Sequence, residues 1–268
     1  MGGSLMSVSL AAGPRGVWDY RELLRSLVVR NLKVKYQRSV LGFVWTLLNP
    51  LLTVGVLVAV FTYVVRIRIE NYWAFLLSGY FVWNFIQQSL SASTYVIAEH
   101  GQLSRSVAFP KEVLVLAAVA SRLIEFAVEL AIVLVLLCLL HHRSVPSSFL
   151  LLPLLVALQV LLTLALVFPI ATLSVFYHDV QHALPIALAT LFYLSPVFYS
   201  AALVPESIRG LYLANPIAAL LTLYHTVVYD GEMPAATSVL AVALVTVAMI
   251  WAGYAVFNRY KRIFAEVV

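Results

Sequence analysis

The chain has 268 residues, of which 63% are hydrophobic and only 11% charged, with a net charge of +5 and a mean hydropathy of +0.97. A soluble domain carries about 25% charged residues, so a large soluble enzyme is excluded and a membrane protein with several spans is indicated. The positive charges cluster at the edges of apolar runs, where anionic lipid and the positive-inside rule explain them without nucleic acid.

Residues 1–17 read as a flexible tail, with no charged leader of the cleavable kind. A helix start follows, with Asp19 as cap, Glu22 three residues on and Trp18 packing on Leu23. Leu23, Leu24, Leu27, Val28 and Leu32 form one stripe, opposite Arg21, Arg25, Arg30, Lys33 and Gln37. The segment 18–40 therefore reads as an amphipathic helix lying in the cytoplasmic interface. The remainder, 41–268, reads as six transmembrane helices, so the fold class is an all-α polytopic membrane protein. The spans are expected at 41–65, 72–97, 113–140, 151–176, 183–201 and 235–257. Between spans five and six, 203–234 is broken by Pro205, Gly210, Pro216, Gly231 and Pro234. It reads as a re-entrant pair of short helices, tolerated only where protein or a wet cavity covers the backbone.

The charges set the topology. With both termini cytoplasmic, the inward segments hold Arg15, Arg21, Arg25, Arg30, Lys33, Lys35, Arg38, Arg105, Lys111, Arg259, Lys261 and Arg262. The outward segments hold only Arg66, Arg68, Arg143 and Arg209. Six spans fit this bias.

No catalytic constellation is visible, and there is no GxxxxGK[ST] loop, HExxH or GxSxG. Neither a metal site nor a cofactor is implied; His141 and His142 read as a solvated turn, and the lone Cys138 as a small apolar residue. Arg122, Glu125 and Glu129 share one face of span three, as an internal ion pair or as the lining of a polar pathway. Aromatics crowd the span ends. Trp45, Tyr80, Trp83, Phe85, Phe192, Tyr193, Phe198 and Tyr199 form either an interfacial belt or a slide on which sugars stack. Arg30, Lys33, Lys35 and Arg38 are either cytoplasmic anchors or a site for an anionic head group. The long inward connector, with Arg105, Phe109, Pro110, Lys111 and Glu112, suits docking of a soluble partner.

Leu32-Lys33-Val34-Lys35-Tyr36, then Ser39-Val40-Leu41-Gly42, Trp45 and Pro50, open a pattern that continues through Gly79, Trp83 and Phe85. Phe109-Pro110-Lys111-Glu112-Val113-Leu114, Tyr177 with Asp179-Val180, Ser195-Pro196-Val197-Phe198-Tyr199, Val204-Pro205 and Asn215-Pro216 complete it. In order and spacing, over about 20–268, this resembles the permease subunits of ABC-2-type exporters of polysaccharide (O-antigen, teichoic acid or capsule). The resemblance implies a homodimer of six-span subunits in the bacterial inner membrane, paired with two ABC ATPase subunits that bind ATP and magnesium. It also implies a glycan on a polyprenyl diphosphate as substrate, ATPase contacts from the first helix and the 99–112 connector, and an outer gate with Pro205, Asn215 and Pro216. The chain departs from the pattern at Val115, where many members have proline, and at His178 and near His225, where they have arginine. Other readings are an ABC-2 exporter of a small drug or lipid, an intramembrane glycosyl- or acyltransferase, and a scaffold protein.

Overall fold

A computed structural model describes residues 18–37, 42, 44–99, 109–142, 144–261 and 263–264, of His142 only the backbone. Among the described residues the structure is all helical. The long elements are α1 (Arg21–Tyr36), α2 (Val44–Ala59, extended by a π turn Val60–Val64), α3 (Tyr72–Ser93) and α4 (Glu112–Leu137, with a π turn Cys138–His142). Then come α5 (Leu152–Phe176, preceded by a 3-10 turn Ser147–Leu151), α6 (Val180–Tyr193), α7 (Glu206–Leu213), α8 (Pro216–Tyr224, with a π turn His225–Asp230) and α9 (Ala236–Tyr260).

Helix α3 is the hub, packed against α2, α4, α5, α6 and α8. Most of its side chains are buried, Phe81, Trp83 and Phe85 among them. The most extensive helix pair is α5 with α9. A Cβ on Gly253 would lie 2.2 Å from the Ala165 carbonyl oxygen. Only glycine lets these two backbones approach so closely, which is how membrane helices gain packing without a hydrophobic driving force. Val242, Thr246, Gly253 and Phe257 form the buried stripe of α9, and most of its other side chains are exposed or half-buried.

Four helical stretches are long and apolar enough to cross a bilayer: Val44–Val64, Glu112–His141, Ser147–Phe176 and Ala236–Tyr260. The pair Glu206–Leu213 and Pro216–Asp230 is bent by 100° and would make a fifth if taken as one broken span. The sequence reading has six. Helix α3 is long enough at 22 residues, but a row of amides and hydroxyls lowers its hydropathy. Helix α6 has 14 residues and reaches roughly 21 Å at 1.5 Å per residue, short of a hydrocarbon core of about 30 Å. It stops at Tyr193, ahead of Ser195-Pro196, where the sequence reading carried it to 201.

The start of α1 also differs. Tyr20 is its N-cap with no side-chain cap bond, so Asp19 does not cap it, and Trp18 is largely exposed instead of stapled to Leu23. The apolar stripe is as expected, but Leu27 and Val28 are buried and α1 packs on α4, so this face is occupied by protein.

The bend between α7 and α8 has a local cause. Asn215 Oδ1 accepts from Ile217 N at 3.0 Å, and Pro216 fills the first helical position. Pro205 caps α7, while Arg209 donates to the carbonyls of Ala202 and Val204 and closes the preceding turn.

Candidate functional site

The two ends of the bundle are chemically distinct. At one end α1, Glu112 and Lys261 come together; at the other, the turns after α2, α4 and α8 do.

At the charged end, Glu125 of α4 is buried and gathers cations from two elements. Lys35 Nζ of α1 lies 2.8 Å from Oε2, and Arg122 Nη1, one turn away on α4, lies 2.9 Å from the same oxygen. Tyr36 donates to Glu125 Oε1 at 2.5 Å and also meets Thr46 of α2. Asn31 of α1 reaches Ser121 of α4. The Glu125 carboxylate therefore ties α1 to α4, and Tyr36 extends the tie to α2. Burial holds Lys35 below the ordinary lysine value, against the hydrogen bond to Glu125 that raises it. Burial and the same carboxylate push the Tyr36 phenol up. Glu129, one turn beyond Glu125, is 2% exposed and has no ion-pair partner among the described residues.

The connector ends in a second buried pair. Lys261 Nζ lies 2.5 Å from Glu112 Oε1, with the two residues 8% and 2% exposed, and Tyr254 donates to the same oxygen at 3.2 Å. Phe109 is buried too, and the Lys111 ammonium sits 4.6 Å from its ring centroid. Burial holds Lys111 below the ordinary lysine value. The Phe109-Pro110-Lys111-Glu112 motif thus anchors the start of α4 to the end of α9, and only Pro110 of the four is appreciably exposed. Arg105 and Arg38 lie outside the described residues. Lys33 and Arg30 are exposed on α1.

Between α2 and α3, above the Lys35–Arg122 floor, runs a groove of about 680 Å³. Its lining includes Trp45, Asn49 and Thr53 from α2 and Tyr80, Asn84, Gln87, Gln88 and Ser91 from α3. The α3 residues recur at three- and four-residue spacing and share one helix face. Sequence reasoning named Trp45 and Tyr80 and missed the amides. Their signal was the period of polar residues inside an uncharged run.

The other aromatics part company. Trp83 and Phe85 are buried in the core and do not face the groove; Trp83 packs on Phe192 with ring centroids 5.7 Å apart. Phe192, Tyr193, Phe198 and Tyr199 form one cluster at the far end of α6, joined to the bent pair where Tyr212 donates to the Tyr199 hydroxyl at 2.9 Å. There His225 stacks on Phe75 at 4.0 Å, donates to the Pro196 carbonyl at 2.7 Å and has Ser78 Oγ 2.8 Å from Nδ1. A Cβ on Gly79 would come within 2.8 Å of this ring, so glycine makes room for it. His141 donates to the Tyr229 carbonyl and accepts from Asn71, while Tyr229 donates to the Glu70 carbonyl. No group of three or more metal-ligating side chains is found among the described residues.

The sequence matches the ABC-2 type transporter family over residues 22–229. The chain belongs to that family. It is 35% identical over 254 residues to the O-antigen export system permease protein RfbA of Myxococcus xanthus, an alignment covering 94% of this chain and 97% of the relative. A Klebsiella pneumoniae protein of the same name is 26% identical, with 92% and 95% covered. The polysialic acid transport protein KpsM of Escherichia coli is 22% identical, with 89% and 93% covered. Two of these relatives are named export permeases and the third a transport protein, in keeping with the ABC-2 membership and with the expectation of a transporter in place of an enzyme.

Proposed function

We propose that this ABC-2 protein is the membrane permease subunit of an ATP-driven exporter that carries a polysaccharide on a polyprenyl diphosphate across the bacterial inner membrane. The observation that carries this reading is 35% identity to an O-antigen export permease along almost the whole of both chains. The subunit works as a homodimer with two copies of a separate ATPase, and both termini lie in the cytoplasm. The basic count at the charged end supports that orientation.

In this reading ATP binding closes the partner ATPases, and their motion reaches the spans through α1 and the connector before Glu112. The ties from α1 to Glu125 and from Glu112 to Lys261 support rigid transmission, because each bonds a cytoplasmic element to the base of a long helix. The 99–112 connector and α1 provide the docking surface. Arg30, Lys33, Lys35 and Arg38 are the basic residues that attract the diphosphate, with Lys35 also bonded to Glu125. Burying a diphosphate in hydrocarbon is prohibitive, so the path is wet and runs at the dimer interface. Phe192, Tyr193, Phe198 and Tyr199 offer sugars weak, interchangeable stacking near the bent outer segment.

The test is affinity purification of the chain from its native membrane in mild detergent, with mass spectrometry of the proteins retained. A stoichiometric ABC ATPase is expected. Its absence even after cross-linking would remove the motor and the reading with it.

A further inference from the structure

The groove between α2 and α3 contains more hydrogen-bonding capacity than the protein uses. Gln87 Oε1 accepts from Trp83 Nε1 at 2.9 Å, and Asn84 Oδ1 accepts from Gln88 Nε2 at 3.0 Å. Each bond spends one half of an amide. Gln87 Nε2, Asn84 Nδ2, Gln88 Oε1 and the whole Asn49 amide have no protein partner among the described residues. Asn49, Gln87 and Ser91 are exposed. Unmet amides cannot face lipid cheaply, so this groove is filled by water or by a polar ligand.

The lining narrows the ligand. Its amides and hydroxyls both donate and accept, its two cations, Lys35 and Arg122, are already bonded to Glu125, no carboxylate lines it, and three rings, Tyr36, Trp45 and Tyr80, do. A cation would find no counter-charge, and an apolar drug would leave the amides unmet. A sugar ring carries hydroxyls that both donate and accept, and an apolar face that stacks on aromatic rings. The volume of about 680 Å³ falls in the roughly 300–1,000 Å³ range of small-ligand sites.

We propose that the α2–α3 groove is a glycan-binding subsite, in which Asn49, Asn84, Gln87 and Gln88 exchange hydrogen bonds with sugar hydroxyls. This rests on the polysaccharide-export reading and adds to it a place for the sugars apart from the aromatic cluster at the far end.

The test uses the full chain in broken native membranes, with Cys138→Ala as background and Asn84→Cys, Gln87→Cys or Leu244→Cys, on the exposed apolar face of α9, added singly. The label is a charged, water-soluble methanethiosulfonate. The competitor is the host's own surface polysaccharide, freed of lipid by mild acid. Both groove cysteines are expected to label much faster than Leu244→Cys, and glycan at about ten times its Kd slows them roughly tenfold. Labelling unaffected by glycan would mean a groove filled only by water and would overturn the subsite. Cysteines that resist label but join into a disulfide between copies would mean a dimer contact, with the same consequence. Surface glycan in cells separates the two readings. If deleting the gene abolishes it while Asn84→Leu/Gln87→Leu exports at wild-type rate, the subsite alone fails. If deletion leaves it intact, the export reading fails.

Discussion

At the charged end, the buried carboxylates of Glu112 and Glu125 draw in Lys261 and Lys35 from distant parts of the chain, and Glu125 also pairs with Arg122 one turn away. At the far end, His225, His141 and Tyr229 hold the turns after α2, α4 and α8 and the Ser195-Pro196 break through neutral hydrogen bonds and stacked rings. A buried ion pair is costly to break from one side, about 3–5 kcal/mol. A neutral hydrogen bond contributes only about 0.5–1.5 kcal/mol. The charged end is therefore the harder of the two to open by losing a single partner. The far end, with its 100° bend, is built from contacts that can be exchanged one at a time.

Substitutions at each end test this contrast. The largest effect is expected from Lys261→Met, which strands a buried carboxylate already carrying one unmet oxygen, Glu112 Oε2. Loss of about 3–5 kcal/mol would appear as a sharply lower melting temperature in detergent, and Glu112→Leu/Lys261→Met should recover most of it. Next comes Glu125→Gln, which unpairs Lys35 and Arg122. Both remain partly solvated, so about 1–3 kcal/mol is expected, with α1 becoming more accessible to protease. At the far end, His225→Phe keeps the stack on Phe75 but loses the bonds to Ser78 and Pro196, for about 1–3 kcal/mol. Smallest is Tyr229→Phe, about 0.5–1.5 kcal/mol, measured as a small shift in melting. Equal losses for Lys261→Met and Tyr229→Phe would remove the distinction between the ends. Raising the salt concentration should weaken the partly exposed Lys35–Glu125 tie and leave the His225 bonds unchanged.

What could be read from the sequence follows the same division. Helices α4, α5 and α9 are legible because long apolar runs have one stable home. The bend at Asn215-Pro216 is legible because the cap and the fixed proline φ are local. Arg122 and Glu125 are visible as costly charges inside a span, yet the third partner, Lys35, is 90 residues away, and no local pattern announces it. The neutral ties are harder still. Nothing in the spacing of Ser78, Pro196 and His225 says they meet, because their pairing arises from how α3, the break after α6 and the turn after α8 pack. The end of α6 at Tyr193 and the π turns at Val60–Val64 and Cys138–His142 are likewise decided by neighbours. The amide stripe of α3 was legible in principle: Asn84, Gln87, Gln88 and Ser91 recur at helical spacing. A reading that weighs charge and aromatic content alone passes over it, because an amide is neutral and only becomes costly when nothing covers it.

The most direct test of the central claim is clean deletion of the gene in its native host, with gel analysis of surface and intracellular polysaccharide and complementation by the wild-type chain. The export account predicts that surface glycan disappears, that lipid-linked glycan accumulates inside, and that complementation reverses both. Unchanged surface glycan, with none retained inside, would contradict it.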